Sequence, residues 1–340
     1  MKDQSADAQR NHEFLELDGD STATFANAHG EPVTGDRRDG LVYRYRSDVK
    51  FAVRIAVAVE RPLLVLGPSG CGKSSLAFSL ARVLGRRFYE FVVDAQTEAT
   101  DLLYRFDAIR RLGDAHLAQV AGSDSVGASW RSIHPFIEPG PLWWVIDHAS
   151  APRRGAPSAP PGTAAVDPGI WLEGRRPGDG SVVPGAVLLI DEIDKGDNDL
   201  TNSLLVPLGS QQFVIRETGD RIGASTEAAA QTKPLVVITS NGERQLPEAF
   251  VRRCVILTLQ PPTVDELVSI GRSTFPSRAR QGDADLHEIA VCLQSAVGPK
   301  RLNAAEYLDT VCAIDQLNVP KALWTKIIGH TTWSSEREDD

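Results

Sequence analysis

A chain of 340 residues, 42% hydrophobic and 24% charged, is long enough to bury a large core and to fold as one or two domains. A net charge of −9 argues against wholesale electrostatic binding of nucleic acid by a single copy. No apolar run approaches the ~20 residues of a membrane span, and the first residues lack the apolar core of a signal peptide. Four scattered cysteines without a C-x-x-C pair suit free thiols in a reducing, cytoplasmic compartment, and the histidines show no metal-ligand spacing.

Residues 1–40 are polar and weakly periodic, and read as a flexible arm or a partly ordered N-terminal extension. Asp48 to Glu60 carries apolar residues at helical spacing. Short apolar runs follow at Pro62–Leu66, Phe88–Val93, Ala186–Ile190, Pro234–Thr239 and Cys254–Leu259, the pattern of strands buried on both faces. Helical patterns lie between them, so the spacing predicts an α/β fold with a doubly wound, parallel, five-stranded sheet over residues 41–261. Leu142-Trp-Trp-Val-Ile146 reads as core, because large aromatics mostly bury. Residues 151–184 hold seven prolines and six glycines, and read as a disordered or loosely folded surface insertion with Trp171 as a local anchor. Pro261-Pro262 ends the last strand, and Thr263-Val-Asp-Glu266 has the form of a capping box opening a helix. Helical patterns at 264–273, 284–296, 301–315 and 320–330 predict a small all-α domain over 262–335, before an acidic tail at 336–340.

The segment Gly67-Pro68-Ser69-Gly70-Cys71-Gly72-Lys73-Ser74-Ser75 fits G-x-x-x-x-G-K-[ST] without a mismatch. A strand precedes it, and a helical run from Ser75 to Leu84 follows, stopped by Gly85. That context separates it from a chance glycine loop. The glycines let backbone N–H groups close around a phosphate at a helix N-terminus. Lys73 would reach the β- and γ-phosphates of a nucleotide, and Ser74 would sit on Mg²⁺. A second apolar strand ends in Asp191-Glu192-Ile-Asp-Lys195. Asp191 would reach the metal shell, and Glu192 would polarise an attacking water. Asn241, at the end of a third strand, could read a lytic water and a γ-phosphate. Arg252 and Arg253 close the helix that begins at Leu246-Pro-Glu.

Together these pieces resemble an AAA+ ATPase, and within that group the MoxR-like branch. Gly67–Ser74 matches the Walker A motif, and Leu188–Lys195 looks like Walker B. Thr239-Ser240-Asn241 looks like sensor 1, Leu246–Arg253 looks like the arginine-finger helix, and Gly298-Pro-Lys-Arg301 looks like sensor 2. The resemblance spans about residues 41–330. It implies ATP and Mg²⁺ as ligands and a ring, usually of six copies, with ATP held between neighbours. Arg253, or alternatively Arg252, would act on a neighbour's γ-phosphate, and Arg301 would sense it in cis. The resemblance also implies a β-strand insert around residues 115–140, and a hairpin beginning at Gln212–Arg216 whose return strand precedes 234.

In function, the resemblance implies ATP hydrolysis that remodels a separate protein client, such as a von Willebrand A-type protein. A different class is an ATP-dependent assembly switch with slow turnover, of the sort found in bacterial defence or signalling systems. A nucleic-acid motor is disfavoured by the acidic balance. A restriction-type GTPase is disfavoured by Asn241-Gly-Glu-Arg-Gln, which lacks that group's signature.

Overall fold

The structure, a computed structural model, describes residues 20–24, 40–120, 132–158, 164–172, 185–223, 233–275 and 283–332. Strand β1 (Ser21–Thr24) pairs antiparallel with β2 (Val42–Tyr45), which ties part of the polar extension to the body. Helix α1 (Ser47–Val59) ends at Glu60 in the left-handed region and leads into β3 (Leu63–Leu66), the phosphate loop and α2 (Lys73–Val83). Next come β4 (Arg87–Val92), α3 (Ala99–Leu103), β5 (Tyr104–Phe106), α4 (Ala108–Val120), β6 (Ile137–Pro139) and α5 (Pro141–Ile146). Strand β7 (Ala186–Asp191) and α6 (Asn198–Ser210) precede the hairpin β8 (Gln212–Val214) and β9 (Arg221–Gly223). Strand β10 (Leu235–Ser240), α7 (Glu248–Val251) and β11 (Val255–Thr258) complete the α/β part. Four helices follow: α8 (Val264–Thr274), α9 (Ala284–Val297), α10 (Ala304–Gln316) and α11 (Trp324–Thr331).

The five expected strands form one parallel sheet in the order β11-β3-β10-β7-β4. Side chains alternate across it, as the period of two requires. Leu63, Val65, Val187, Leu189, Leu235 and Val237 pack with α1 and α2 on one face. Leu64, Leu188, Ile190, Val236 and Ile238 pack on the other face with Leu102, Leu142, Trp143, Leu204 and Phe250. Both faces are apolar because both are covered, which is why these strands read as unbroken apolar runs. Trp143 and Trp144 are buried, as expected for core residues. The C-terminal helices enclose a core of their own, built on Leu267, Leu286, Ile289, Leu293, Tyr307, Val311 and Trp324. Among the described residues, no helix is long and apolar enough to cross a membrane.

Two expectations need correction. The insert anticipated as strands at 115–140 is a short antiparallel pair, β5 with β6, joined through α4. Arginine, leucine, alanine and glutamine favour helix in 108–120, and that local preference prevails; residues 121–131 lie outside the described ones. Nor is all of 151–184 loose. Ile170 forms an antiparallel bridge with Phe88 on the open edge of β4. Asp167 accepts hydrogen bonds from Arg87, from the Tyr89 hydroxyl (3.0 Å) and from the Gly169 N–H (2.8 Å). The Arg87 guanidinium lies 5.2 Å from the centre of the Trp171 ring, so Trp171 does anchor this strap. Residues 159–163 and 173–184 lie outside the described ones. The hairpin expected from Gln212 is present, with its return strand at Arg221–Gly223.

Candidate nucleotide site

A cavity of about 410 Å³ opens at the C-terminal end of the sheet, where β3, β7 and β10 deliver their last residues. Its floor is Ser69 to Ser75. Two close approaches explain the glycines there. A Cβ on Gly67 (φ +152°) would stand 2.7 Å from the Leu259 carbonyl oxygen. A Cβ on Gly70 (φ +75°) would stand 2.8 Å from Cβ of Asn303, at the start of α10. The loop is thereby pressed between β11 and the C-terminal helices. The Ala304 N–H donates to the Gly70 carbonyl at 3.3 Å.

Helix α2 begins at Lys73, so its N-terminal first turn, the positive end of its dipole, lies at the cavity floor. The Lys73 ammonium is folded back onto the loop, donating to the carbonyls of Gly67 (2.8 Å) and Pro68 (2.7 Å). Burial lowers its pKa, against the opposing pull of Asp191, Asp194 and Glu192. Burial likewise raises the Cys71 thiol, which lines the same cavity.

The acidic end of β7 meets the loop directly. The Ser74 hydroxyl donates to the Asp191 carboxylate, at 2.9 Å to Oδ1 and 3.0 Å to Oδ2. The Thr239 hydroxyl, from the neighbouring strand β10, also donates to Asp191. That same oxygen accepts the Glu192 N–H at 2.9 Å. Thr239 therefore fixes a residue with φ 60° and ψ 45°, a left-handed conformation that a residue with a side chain rarely adopts. The Glu192 carboxylate accepts from Lys195 Nζ at 2.6 Å and stands 3.5 Å from Asn241 Nδ2.

A buried aspartate organises the third piece. Asp194 is 2% exposed and accepts the backbone N–H groups of Asn241 (3.1 Å) and Glu243 (2.9 Å). Arg244 then donates to the Gly196 carbonyl at 2.7 Å. These bonds knit the turn after β7 to the turn after β10. The far wall comes from the N-terminal segment and from α8. Arg46 makes a forked pair with Glu266, at 2.7 and 3.1 Å. Glu266 also completes the capping box of α8, accepting the Thr263 N–H at 2.8 Å. Burial by itself would raise the Glu266 carboxyl, but the Thr263 N–H and Arg46 outweigh it and hold the group below the ordinary glutamate range.

Of the residues singled out from the sequence, Ser69, Gly70, Cys71, Gly72, Lys73, Ser74, Ser75, Asp191, Glu192 and Asn241 line this one cavity. Gly67 and Pro68 are not among its lining residues; their carbonyls hold the Lys73 ammonium. Arg252, Arg253 and Arg301 are exposed and are not among its lining residues. Arg252 pairs with Glu248 at 2.9 Å, and Arg253 donates to the Ala249 carbonyl at 2.9 Å. From the sequence, Thr239 stood in the sensor 1 match, Asp194 and Lys195 in the Walker B match and Glu266 in a capping box, but none had the contacts seen here, and Arg46 had no role. Asp194 and Lys195 stood beside the acidic pair in plain view, but their partners are set by the packing of β7 beside β10. A cavity floored by a phosphate loop, with a hydroxyl–carboxylate pair at one end, is suited to a nucleoside triphosphate and a hard divalent cation.

No curated protein matches the sequence. Among solved structures, the Thermotoga maritima RuvB Holliday junction branch migration motor is similar at 16% identity, covering 83% of this chain and 65% of that one, with a TM-score of 0.40. A point mutant of the same protein is 17% identical, covering 84% of this chain and 67% of that one, with a TM-score of 0.42. This chain thus spans less than two thirds of the first motor's length. The family description "AAA domain (dynein-related subfamily)" matches residues 62–254, from the strand before the phosphate loop to the end of the Arg252-Arg253 helix. That stretch is more than half of the chain, and the protein belongs to this AAA+ family.

Proposed function

We propose that the chain hydrolyses ATP to ADP and phosphate in a site completed by a second copy, and uses the cycle to remodel a protein client. The observation that carries this reading is the hydrogen-bonded chain Ser74–Asp191–Thr239–Glu192 at the end of the phosphate-loop cavity. The donor set of Ser74 and Asp191 fits Mg²⁺, which binds through one or two carboxylates and the phosphates themselves. When bound, the ion would neutralise charge on the β- and γ-phosphates. Lys73 would leave the Gly67 and Pro68 carbonyls for the phosphates, and Glu192 would accept the proton of the attacking water. The water oxygen bonds to the γ-phosphorus, and the bond to the β–γ bridging oxygen breaks with its electrons leaving on ADP. Asn241 would orient the water.

Arg253 or Arg252, exposed and outside the cavity of their own chain, would act on a neighbour's γ-phosphate, and Arg301 in cis. The ring would be a hexamer of the MoxR-like kind, in the cytoplasm, and the C-terminal helices would serve as a lid. The client would be a separate chain, for which a von Willebrand A-type protein is the candidate.

ATP binding and turnover of Glu192→Gln and Lys73→Ala test the chemistry. Glu192→Gln should bind ATP and lose about 10²–10⁴-fold in turnover, while Lys73→Ala should lose binding. Turnover of Glu192→Gln near that of the unaltered protein contradicts the reading. One observation favours the second function, a slow assembly switch: both Glu192 oxygens face protein donors, Lys195 and Asn241. Steady-state turnover with and without a client separates the two functions.

A further inference from the structure

Helix α4 is inside out for a surface helix. None of its 13 residues is buried. Arg111, Asp114, Ala115 and Ala118 are half-buried, while Ile109, Leu112, Leu117 and Val120 are 64% to 86% exposed. Those four recur at i, i+3, i+8 and i+11, which puts them on one face, and an amphipathic helix normally turns that face to a core. The exposed residues of α4 include Arg110 and His116 but no carboxylate. The helix is tied down at its start. The Asp107 carboxylate accepts the Arg110 N–H at 2.8 Å, the Asp107 N–H donates to the Phe136 carbonyl at 2.8 Å, and the Arg110 guanidinium lies 5.0 Å from the centre of the Phe136 ring.

The same chain carries a groove that fits such a face. About 670 Å³ lies open between α3, α6 and the β8–β9 hairpin. Leu103, Val206, Pro207 and Val214 line it, and Val206 and Val214 are 60% and 49% exposed. Its charges are split, with Glu98, Asp197 and Asp199 on the helical side and Arg216 and Arg221 on the hairpin side. Glu98 and Asp197 are engaged in capping α3 and α6, whereas Asp199 is exposed. No residue of α4 lines this groove in its own chain.

We propose that α4 of one copy docks in the α3–α6–hairpin groove of a second copy, with its N-terminal turn on the acidic side. This rests on the reading that the chain assembles with itself. The mode is a helix in a groove, with Ile109, Leu112, Leu117 and Val120 as anchors over Val206 and Val214. Arg110 then stands beside Asp199. A guanidinium has five N–H groups, and the Pro135 carbonyl takes only part of that capacity in Arg110. Two apolar surfaces left uncovered within one copy thereby cover each other between copies, and the charges match where they meet. Helix and groove are different surfaces, so the contact is head-to-tail, the kind that closes into rings.

The test is sedimentation velocity of the full chain with ATP over a concentration series, with thermal melting alongside. The double variant Leu112→Asp/Leu117→Asp and, on the other surface, Val206→Arg should each weaken self-association about 10-fold or more. Asp199→Arg should weaken it too, and adding Arg110→Glu should restore it, which a merely structural role would not do. Under mild oxidation, a mixture of Leu112→Cys and Val206→Cys proteins should form a linked pair that neither forms alone. If the helix variant does not melt cooperatively, Val206→Arg reads the same contact from the groove. Variants that melt normally and assemble like the unaltered chain overturn the docking and leave the shared nucleotide site standing on some other contact. An unaltered chain that stays a single copy at every concentration sinks both. Loss of client-stimulated turnover with assembly intact would give α4 to a client and also overturn the proposal.

Discussion

Thr239 holds two parts of the site at once, since its one hydroxyl donates to Asp191 and accepts the N–H of Glu192. Thr239→Val keeps the shape and removes both bonds, leaving a buried carboxylate one donor short and a strained residue unpinned. Unfolding in urea should show a loss of about 1–3 kcal/mol, the usual cost of buried groups left without partners. Thr239→Ser should recover most of that loss. Asp194 acts through the Asn241 N–H. Asp194→Ala should leave ATP binding near normal and lower kcat about 10-fold, the scale of a misplaced polar contact in a reaction site. A rise in KM with kcat unchanged would instead place Asp194 in nucleotide binding. At this scale the sequence showed the phosphate loop and the Asp191-Glu192 pair, because each is a contiguous run whose chemistry is local. It put Thr239 and Asp194 inside matched motifs but gave neither a contact, because their partners sit 48 and 47 positions away along the chain.

Among the elements, the buried parallel strands, the hairpin from Gln212 and the capped C-terminal helices were legible, and the strap on the sheet edge was not. Strands covered on both faces announce themselves as apolar runs. The strap at 164–172 lies inside a segment rich in proline and glycine, and only the folded chain brings Asp167 to Arg87 and Tyr89 on the sheet edge. Asp167→Ala should release the strap. Hydrogen exchange at the amides of Phe88 and Ile170, which bond to each other's carbonyls at 2.9 Å, should then quicken while the rest of the sheet stays protected.

The start of α8 supplies a pH prediction. The Glu266 pKa is depressed in the folded chain, so its contribution is fully present above the ordinary glutamate value and is lost as the pH falls through the lower folded value. Glu266→Gln should cost about 1–3 kcal/mol at neutral pH, the worth of a hydrogen-bonded charge. The deficit relative to the unaltered chain should shrink in acid. A deficit independent of pH would assign the stabilisation to packing.

For the whole molecule, the question is which surfaces complete the cavity. Its own chain supplies the phosphate loop, both carboxylates and Asn241, with the C-terminal helices resting on the loop through Ala304 and Gly70. Arg252 and Arg253 lie outside it, on an exposed helix end. An arginine supplied from a neighbour can be worth roughly 10³–10⁵ in rate, so their placement decides whether one copy can work alone. Mixing two inactive proteins, Glu192→Gln and the double variant Arg252→Ala/Arg253→Ala, tests this most directly. If the site is shared, a mixed assembly contains sites with an intact Glu192 facing an intact arginine pair. Turnover should then reappear at up to about a quarter of the unaltered rate, as random head-to-tail assembly requires. A mixture as inactive as its two components would contradict the shared site and leave each copy to work with its own residues alone.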